Sequence, residues 1–464
     1  MQSSPIPLTA NPFTAILLRI ALNDFGLFLK KTVGFSRPQT TNGWVSARRI
    51  IFFSILRAFF PVVLVAVLEL AQAGKARAAE TLNPIGARVK ANPGDFVAWN
   101  KFADGELRLL SATGDLAHLA HAAAAVEQSL KTANPEFNHG GLAMRTRVEL
   151  AFHRFKEAQC DAEQLRTLMP DSTYSLGLLG DALLNLGEYA AVERIWNKMF
   201  SIDKSSLATE PRLAQLDLVH GRVESARERL LKSLELARKL EPESPDVVAW
   251  CQVQVGELAF RSGDWETAEK QYEAALSAQP HYYAGLDHLA ELRGAQGRLD
   301  EAVVLYSRVI ERLPRPEFMQ ALGDLYLFSG KAGDAKPWHD RALAAYLASV
   351  ERDETLYFHH LAGFYADSLN EPEKAVEWAR RDLTLRHTIQ AYDVLASALY
   401  KAGKIDDARD AISKALATGT RDAHILYHAG TILMGAGDIS GGVVKLQEAV
   451  GANPRYNSFH VHRG

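Results

Sequence analysis

The feature that most constrains this chain is an internal repeat with an offset of 34 residues. The stretches GELAFRSGDWETAEKQYEAALSAQP (256–280) and AELRGAQGRLDEAVVLYSRVIERLP (290–314) place small residues, an aromatic residue and a proline at the same positions. Within each copy the apolar residues recur at helical spacing, as in Leu299, Val303 and Tyr306. Each copy therefore predicts two short amphipathic helices.

Glycine and proline mark the breaks between these predicted helices. Gly263 and Gly297 can adopt the left-handed backbone that ends a first helix. Pro280 and Pro314 cannot donate the backbone hydrogen bond that would continue a second helix. Each copy is therefore predicted to be a helical hairpin. A hairpin of this size cannot bury its apolar face alone, so it must stack on neighbours of its own kind.

The same frame extends through most of the chain. Nine units have a small residue at the middle of the first helix, namely Thr146, Gly180, Ala214, Gly256, Ala290, Gly323, Ala362, Ala396 and Gly430. An atypical unit over 93–135 is predicted to cap the N-terminal end of the array. Two units are longer than the rest, which predicts extended second helices at 230–240 and 342–350.

This pattern resembles the tetratricopeptide repeat, a helix-turn-helix unit with small residues in the first helix, and Ala, an aromatic residue and Pro in the second half. The resemblance implies an all-α fold, a right-handed α-solenoid of stacked helix-turn-helix units. It also implies a protein-protein interaction scaffold that binds a partner in the concave groove lined by the first helices. The signature Trp of the first helix is absent throughout, and Val192 and Gly442 replace the second-helix Ala in their units.

The front of the chain has the three-part layout of a secretory signal peptide. Within 47–79, a basic start precedes an apolar run at 58–68, and a small-residue site follows at 76–78. Cleavage there predicts a bacterial-type periplasmic or secreted protein. The alternative is an uncleaved membrane anchor facing the periplasm, which is less favoured because Arg57 lies inside the apolar segment. A further hypothesis is that translation begins near Val45.

The predicted organisation of the chain has five parts. They are an irregular leader (1–46), most of which a start near Val45 would leave untranslated, the signal peptide or anchor (47–79), the capping repeat (93–135), about nine tetratricopeptide-like repeats (138–456) and a short tail (457–464).

The charge balance argues against nucleic acid as a partner. The chain has 52 basic and 55 acidic residues, a net charge of -3, whereas nucleic-acid binders usually carry a basic excess. The expected partner is a protein or peptide.

The two cysteines, Cys160 and Cys251, fall three units apart, which is too far for a disulfide, and both are predicted to be buried or half-buried.

Motifs for catalysis are weak. His424 and His428 lie four residues apart on one predicted helix, but the HExxH pattern of a zinc enzyme is absent, as are GxxxxGK[ST] and GxSxG. His118 with His121 and the pair His359–His360 are similarly interpreted as surface or packed histidines. The sequence therefore predicts no enzyme, no metal and no cofactor. An enzyme or metal-dependent factor that uses these histidines is the alternative function.

The first helices should direct acidic and aromatic side chains into the concave groove. The predicted groove residues are Tyr174, Asp181, Trp250, Glu257, Phe260, Asp287, Glu291, Asp324, Phe328, Asp393, Tyr400 and Tyr427. Such a surface should prefer a basic or apolar peptide. The alternative is that the carboxylates only solvate or cap helices, and that the aromatic rings pack between units.

Overall fold

The computed structural model describes residues 84–240, 244–456 and 459. The leader, the signal-peptide segment and most of the tail lie outside these residues. In the described part, a helical stretch at 84–91 precedes twenty α-helices, and this part contains no β-strand. None of its helices is long and apolar enough to cross a membrane.

The helices pair into ten consecutive hairpins, numbered 1 to 10. Their bounds are α1 Phe96–Thr113, α2 Ala117–Thr132, α3 His139–Ala151, α4 Phe155–Leu168, α5 Thr173–Leu186, α6 Tyr189–Ile202, α7 Glu210–Val219, α8 Val223–Arg238, α9 Pro245–Arg261, α10 Trp265–Ala278, α11 Tyr283–Ala295, α12 Leu299–Arg312, α13 Pro316–Phe328, α14 Ala332–Glu351, α15 Phe358–Gly363, α16 Pro372–Leu385, α17 Ile389–Lys401, α18 Ile405–Leu416, α19 Ala423–Gly435 and α20 Ile439–Ala452. In hairpin 8, a π-helical turn, Phe364–Ser368, continues α15.

The predicted all-α solenoid is confirmed. Apart from α14 and α15, each helix packs on the next one along the chain, so successive hairpins cover one another. First helices of successive hairpins also contact each other directly, for example α1 with α3, α9 with α11 and α17 with α19. The first helices therefore line the inner side of the curved array.

A small residue in the first helix lets each hairpin close. Gly256 lies against Tyr272, and a Cβ atom at residue 256 would stand 2.5 Å from the tyrosine ring. Gly180 makes the same approach to Trp196, and both aromatic side chains are fully buried. Because a core is packed as densely as a crystal, the missing Cβ atom sets how closely the two helices approach.

Two sequence predictions about local structure have different outcomes. The extended second helices are confirmed, since α8 has 16 residues and α14 has 20, against 14 in α10 and α12. The prediction for Cys160 is wrong, because this residue is exposed on α4, while Cys251 is buried. An amphipathic helix has a solvent side as well as a packed side, and Cys160 lies on the solvent side.

Consecutive turns of the superhelix touch. The turn inside each of hairpins 1 to 4 makes polar contacts with a loop about 200 residues later in the chain. The turn of hairpin 5 packs against the segment after hairpin 10, where a Cβ atom at Gly263 would lie 2.7 Å from Asn453 Oδ1. The polar contacts are Arg315 Nη1 to Gly114 O (3.3 Å), Thr355 Oγ1 to Phe152 O (3.0 Å), His387 N to Leu186 O (3.0 Å), Ile389 N to Tyr189 Oη (2.9 Å) and His220 Nδ1 with Thr418 O (3.3 Å). We call this set of contacts the seam. One superhelical turn therefore takes between five and six hairpins.

Turn glycines inside the seam differ from those outside it in how closely other atoms approach them. Gly221 in hairpin 4 has φ +71°, and a Cβ atom there would lie 2.4 Å from the carbonyl oxygen of Gly419. Gly403 in hairpin 9 has nearly the same backbone, φ +73°, but nothing lies within 4 Å of its Cβ position. Left-handed backbone disfavours alanine at both sites to a similar degree. At residue 221, the close approach of another backbone segment also excludes a Cβ atom.

We therefore expect Gly221→Ala to lower the free energy of unfolding more than Gly403→Ala does. The difference should be about 1–3 kcal/mol, the usual cost of overpacking a tight contact. Urea denaturation followed by circular dichroism measures both values. Equal losses in the two variants would show that the seam does not contribute to stability.

Candidate functional site

Ion pairs run along the inner face from one first helix to the next. A carboxylate on one hairpin meets a basic side chain on the following hairpin, close to one repeat length later in the chain. The pairs are Asp104 with Arg147 (2.6 Å), Asp181 with Arg212 (2.6 Å), Asp367 with Lys401, and Asp393 with His428 (3.0 Å). We call these four pairs the inner ladder. Their carboxylates are largely neutralised within the protein itself.

Three of the predicted groove residues are buried, which is a correction. Phe260 belongs to the hydrophobic core, and Asp324 and Asp393 are each 3 % exposed. Asp324 accepts a hydrogen bond from Ser368 Oγ (2.7 Å) and lies 2.9 Å from His339 Nε2. Because these three side chains are buried, they do not line the groove, and they serve packing and pairing within the array.

The other predicted groove residues keep some exposure. Tyr174 is the most open, at 45 %. The remaining eight are half-buried, namely Asp181, Trp250, Glu257, Asp287, Glu291, Phe328, Tyr400 and Tyr427. Two of the rings make aromatic contacts near the C-terminal end, Phe328 with Phe459 (5.4 Å between centroids) and Tyr427 with Tyr456 (5.5 Å). Whether these residues bind a peptide stays a prediction.

His288 lies on the inner face of hairpins 5 and 6, where three carboxylates surround it, those of Glu257, Asp287 and Glu291. The His288 ring stacks on Tyr272 (5.6 Å between centroids), and its Nδ1 lies 3.8 Å from Glu291 Oε2. Burial alone would lower the pKa of His288, but Glu291, Glu257 and Asp287 outweigh it and raise this pKa to about 9. His288 is therefore an imidazolium at neutral pH.

Arg261 supplies the second cation of this carboxylate cluster. Its Nη2 lies 2.8 Å from Glu257 Oε1, and its Nη1 lies 3.4 Å from Asp422 Oδ2 across the seam. Three carboxylates thus face two cations, which leaves an excess of one negative charge before Asp422 is counted. The cluster is acidic, though much less so than its sequence suggests.

The raised pKa of His288 predicts a loss of stability in base. A folded pKa of about 9 against an unfolded value of 6.5 means that the stabilisation is complete below pH 6.5 and is lost as the pH rises through about 9. The free energy of unfolding should therefore fall over this interval, and His288→Gln should remove most of that fall. Urea denaturation at several pH values tests this, with His139→Gln, a variant of a half-buried histidine on α3, as control. Identical pH profiles for wild type and His288→Gln would contradict it.

Two of the histidine pairs noted in the sequence come together with a carboxylate. Asp393 joins His424 and His428, and Glu106 joins His118 and His121. The sequence contained a signal for the first group, because Asp393 precedes His428 by 35 residues and so lies one residue from the equivalent position of the previous repeat. Residues one period apart lie on adjacent hairpins and can meet.

A cleft of about 1180 Å³ lies where hairpin 1 meets the loops of hairpins 5 to 7. Phe96, Val97, Phe137, Tyr283 and Leu313 form much of its apolar lining, and four cationic side chains stand around them, Lys101, Arg108, Arg308 and Arg312. The sequence analysis missed this cleft, because its two sides come from successive superhelical turns. Repeat spacing identifies neighbouring hairpins but does not give the pitch of the superhelix.

Comparison with known proteins identifies the repeat. One tetratricopeptide repeat family model matches residues 205–280, and another matches 256–316 and 394–460. Segments 205–316 and 394–460 of the chain therefore match tetratricopeptide repeats. Tetratricopeptide repeat protein 21A from Mus musculus is 24% identical over 176 residues, which is 36% of this chain and 13% of that relative. The chain therefore aligns with only a small part of that protein.

Solved structures of helical-repeat proteins are also similar. The human IFIT1 dimer with PPP-AAAA has a TM-score of 0.44 at 14% identity, covering 83% of this chain and 89% of that chain. The APC/C hetero-tetramer Cut9-Hcn1 has a TM-score of 0.36 at 13% identity, covering 84% and 93%. MamA has a TM-score of 0.30 at 20% identity, covering 37% and 97%. These similarities carry no conclusion about function, and the absence of enzymatic activity stays a prediction.

Proposed function

We propose that this protein is a scaffold that binds a segment of a partner protein along its inner face. The observation that carries the proposal is the set of part-exposed rings on first helices, with Tyr174 the most open. Rings of this kind bind well because they offer a large contact area and lose little conformational entropy. Repeats of this family generally bind protein partners, which supports the same function.

The electrostatics narrow the chemistry of the partner segment. Because the carboxylates of the inner ladder are paired, net charge contributes less to recognition than the sequence suggests. We therefore propose an apolar segment that carries at least one basic residue. That residue would lie near Glu257, Asp287 and Glu291, where one negative charge is in excess. Charge there should affect the rate and specificity of association more than the total affinity.

Site-specific photocrosslinking tests whether the inner face is the binding surface. A photoreactive amino acid replaces Tyr174 or Tyr427 on first helices, and matched controls replace Val304 and Val450, which are 59% and 60% exposed on second helices. We expect both inner positions to crosslink to the same partner protein in cells, and the outer positions not to do so. Crosslinks to that protein from the outer positions alone would contradict the proposal.

Charge reversal then tests the carboxylate cluster with the crosslinked partner. We expect Glu257→Lys combined with Glu291→Lys to weaken binding about tenfold or more, a loss of about 1.4 kcal/mol. The matched control reverses Asp300 and Glu311, two exposed acids on the second helix α12. Titration calorimetry at two salt concentrations gives the affinities. An equal effect of both double variants would remove the cluster from the binding site.

We also propose that the scaffold works in the cell envelope. The support is the signal-peptide layout of residues 47–79, with a small-residue site at Ala76 and Ala78. We expect the mature chain to begin after Ala78 or Ala79 and to appear in the periplasmic or secreted fraction. N-terminal sequencing of the fractionated protein measures this. A membrane-bound chain that retains 47–79 would support the anchor, and a cytoplasmic chain beginning at Met1 would contradict export.

A further inference from the structure

Asp393, His424 and His428 form a compact three-residue cluster at the junction of hairpins 9 and 10. Asp393 belongs to α17, and the two histidines lie one turn apart on α19. One potential ligand atom from each residue lies within 4.8 Å of the others. The proposed binding of a partner protein makes no use of this cluster, so its chemistry can be considered independently.

The spacing of the three groups suits a single metal ion. Asp393 Oδ1 lies 3.0 Å from His428 Nδ1, and Asp393 Oδ2 lies 3.8 Å from His424 Nε2. Ligand atoms around a tetrahedral zinc ion, with bonds of about 2.0–2.1 Å, are about 3.3 Å from one another. Rotations of the side chains would therefore bring one ligand atom from each of the three residues onto one ion.

A hydrogen bond outside the cluster orients one of the imidazoles. His424 Nδ1 lies 2.7 Å from the hydroxyl oxygen of Tyr456. When Nδ1 carries the proton and donates it to Tyr456, the lone pair of Nε2 is directed toward Asp393. Metal-binding histidines usually have such a partner on the other ring nitrogen, which fixes both the tautomer and the ring orientation.

The three side chains of the cluster are largely buried, and they differ in exposure. Asp393 is 3% exposed, the His428 side chain 12% and the His424 side chain 24%. A buried carboxylate is costly unless a cation compensates it, and a divalent ion does so more completely than one imidazole. His424 is the most exposed of the three side chains, so an ion and a fourth ligand would approach from its side.

We propose that Asp393, His424 and His428 bind one divalent transition-metal ion and that zinc matches this ligand set best. Two imidazole nitrogens and one carboxylate oxygen are typical zinc donors, and a water molecule would complete the tetrahedron. His428 would bind through Nδ1 and carry its remaining proton on Nε2. The ion would link α17 to α19 and so join the last two hairpins.

The second histidine cluster is a weaker candidate. His118 Nδ1 and His121 Nδ1 both approach the same oxygen, Glu106 Oε2, at 2.7 and 3.4 Å, and the His121 side chain is 61% exposed. An arrangement of two histidines on one carboxylate oxygen is satisfied by hydrogen bonding alone. This cluster therefore provides the internal control for the first one.

Metal titration of the full chain tests the proposal. The purified protein is stripped with a chelator and titrated with Co²⁺, whose visible absorption reports tetrahedral coordination, and then with Zn²⁺ as competitor. We expect one Co²⁺ per chain, displacement by Zn²⁺ and a rise in the melting temperature. Absence of binding at millimolar Co²⁺ and Zn²⁺ would overturn the proposal.

Variants locate the ion. Asp393→Asn and His428→Gln should each lower the affinity for Co²⁺ at least tenfold, while His118→Gln should leave it unchanged. Tyr456→Phe keeps all three ligands and should lower the affinity by about 10-fold to 100-fold, as for other outer partners of metal-binding histidines. This variant gives a reading even if a ligand variant fails to fold. Loss of binding in His118→Gln with retention in Asp393→Asn and Tyr456→Phe would assign the ion elsewhere.

Discussion

The close approach of the two helices within each hairpin is the constraint on which the rest of the structure depends. Gly256 against Tyr272 and Gly180 against Trp196 show the rule, since in each case a large ring occupies the space that a Cβ atom would need. A large ring on one helix and a missing side chain on the other produce a flat, well-filled unit. Such units stack without gaps, so the helices of a long chain are covered on both sides without a central globular core.

Stacking at a fixed period also determines which side chains can meet. A residue on a first helix lies beside residues about one repeat later in the chain, so contacts between distant parts of the sequence recur at close to the repeat period. Asp181 meets Arg212 in this way, and Asp393 meets His428. The inner face is therefore built from pairs, and its electrostatic character cannot be obtained by adding up the charges of single positions.

The sequence was sufficient for the fold and only partly sufficient for the site. Helix breaks and apolar spacing identified the all-α array and the longer helices α8 and α14, because those properties are local. Burial of Phe260, Asp324 and Asp393 was not predicted, since it depends on how far each hairpin rotates against the next. The seam and the cleft near Tyr283 were missed for a related reason, because a small rotation per unit accumulates into the superhelical pitch.

The seam changes how interchangeable the repeats are. In an open solenoid one whole unit can be removed or added, because each unit contacts only its neighbours. Here the turns of hairpins 1 to 5 each meet one particular loop in the next superhelical turn, such as Leu186 with His387. Deleting hairpin 6, which lies between the two sides of every one of these contacts, would move all of them out of register at once. The number of repeats between the two sides of the seam is thus fixed by the architecture.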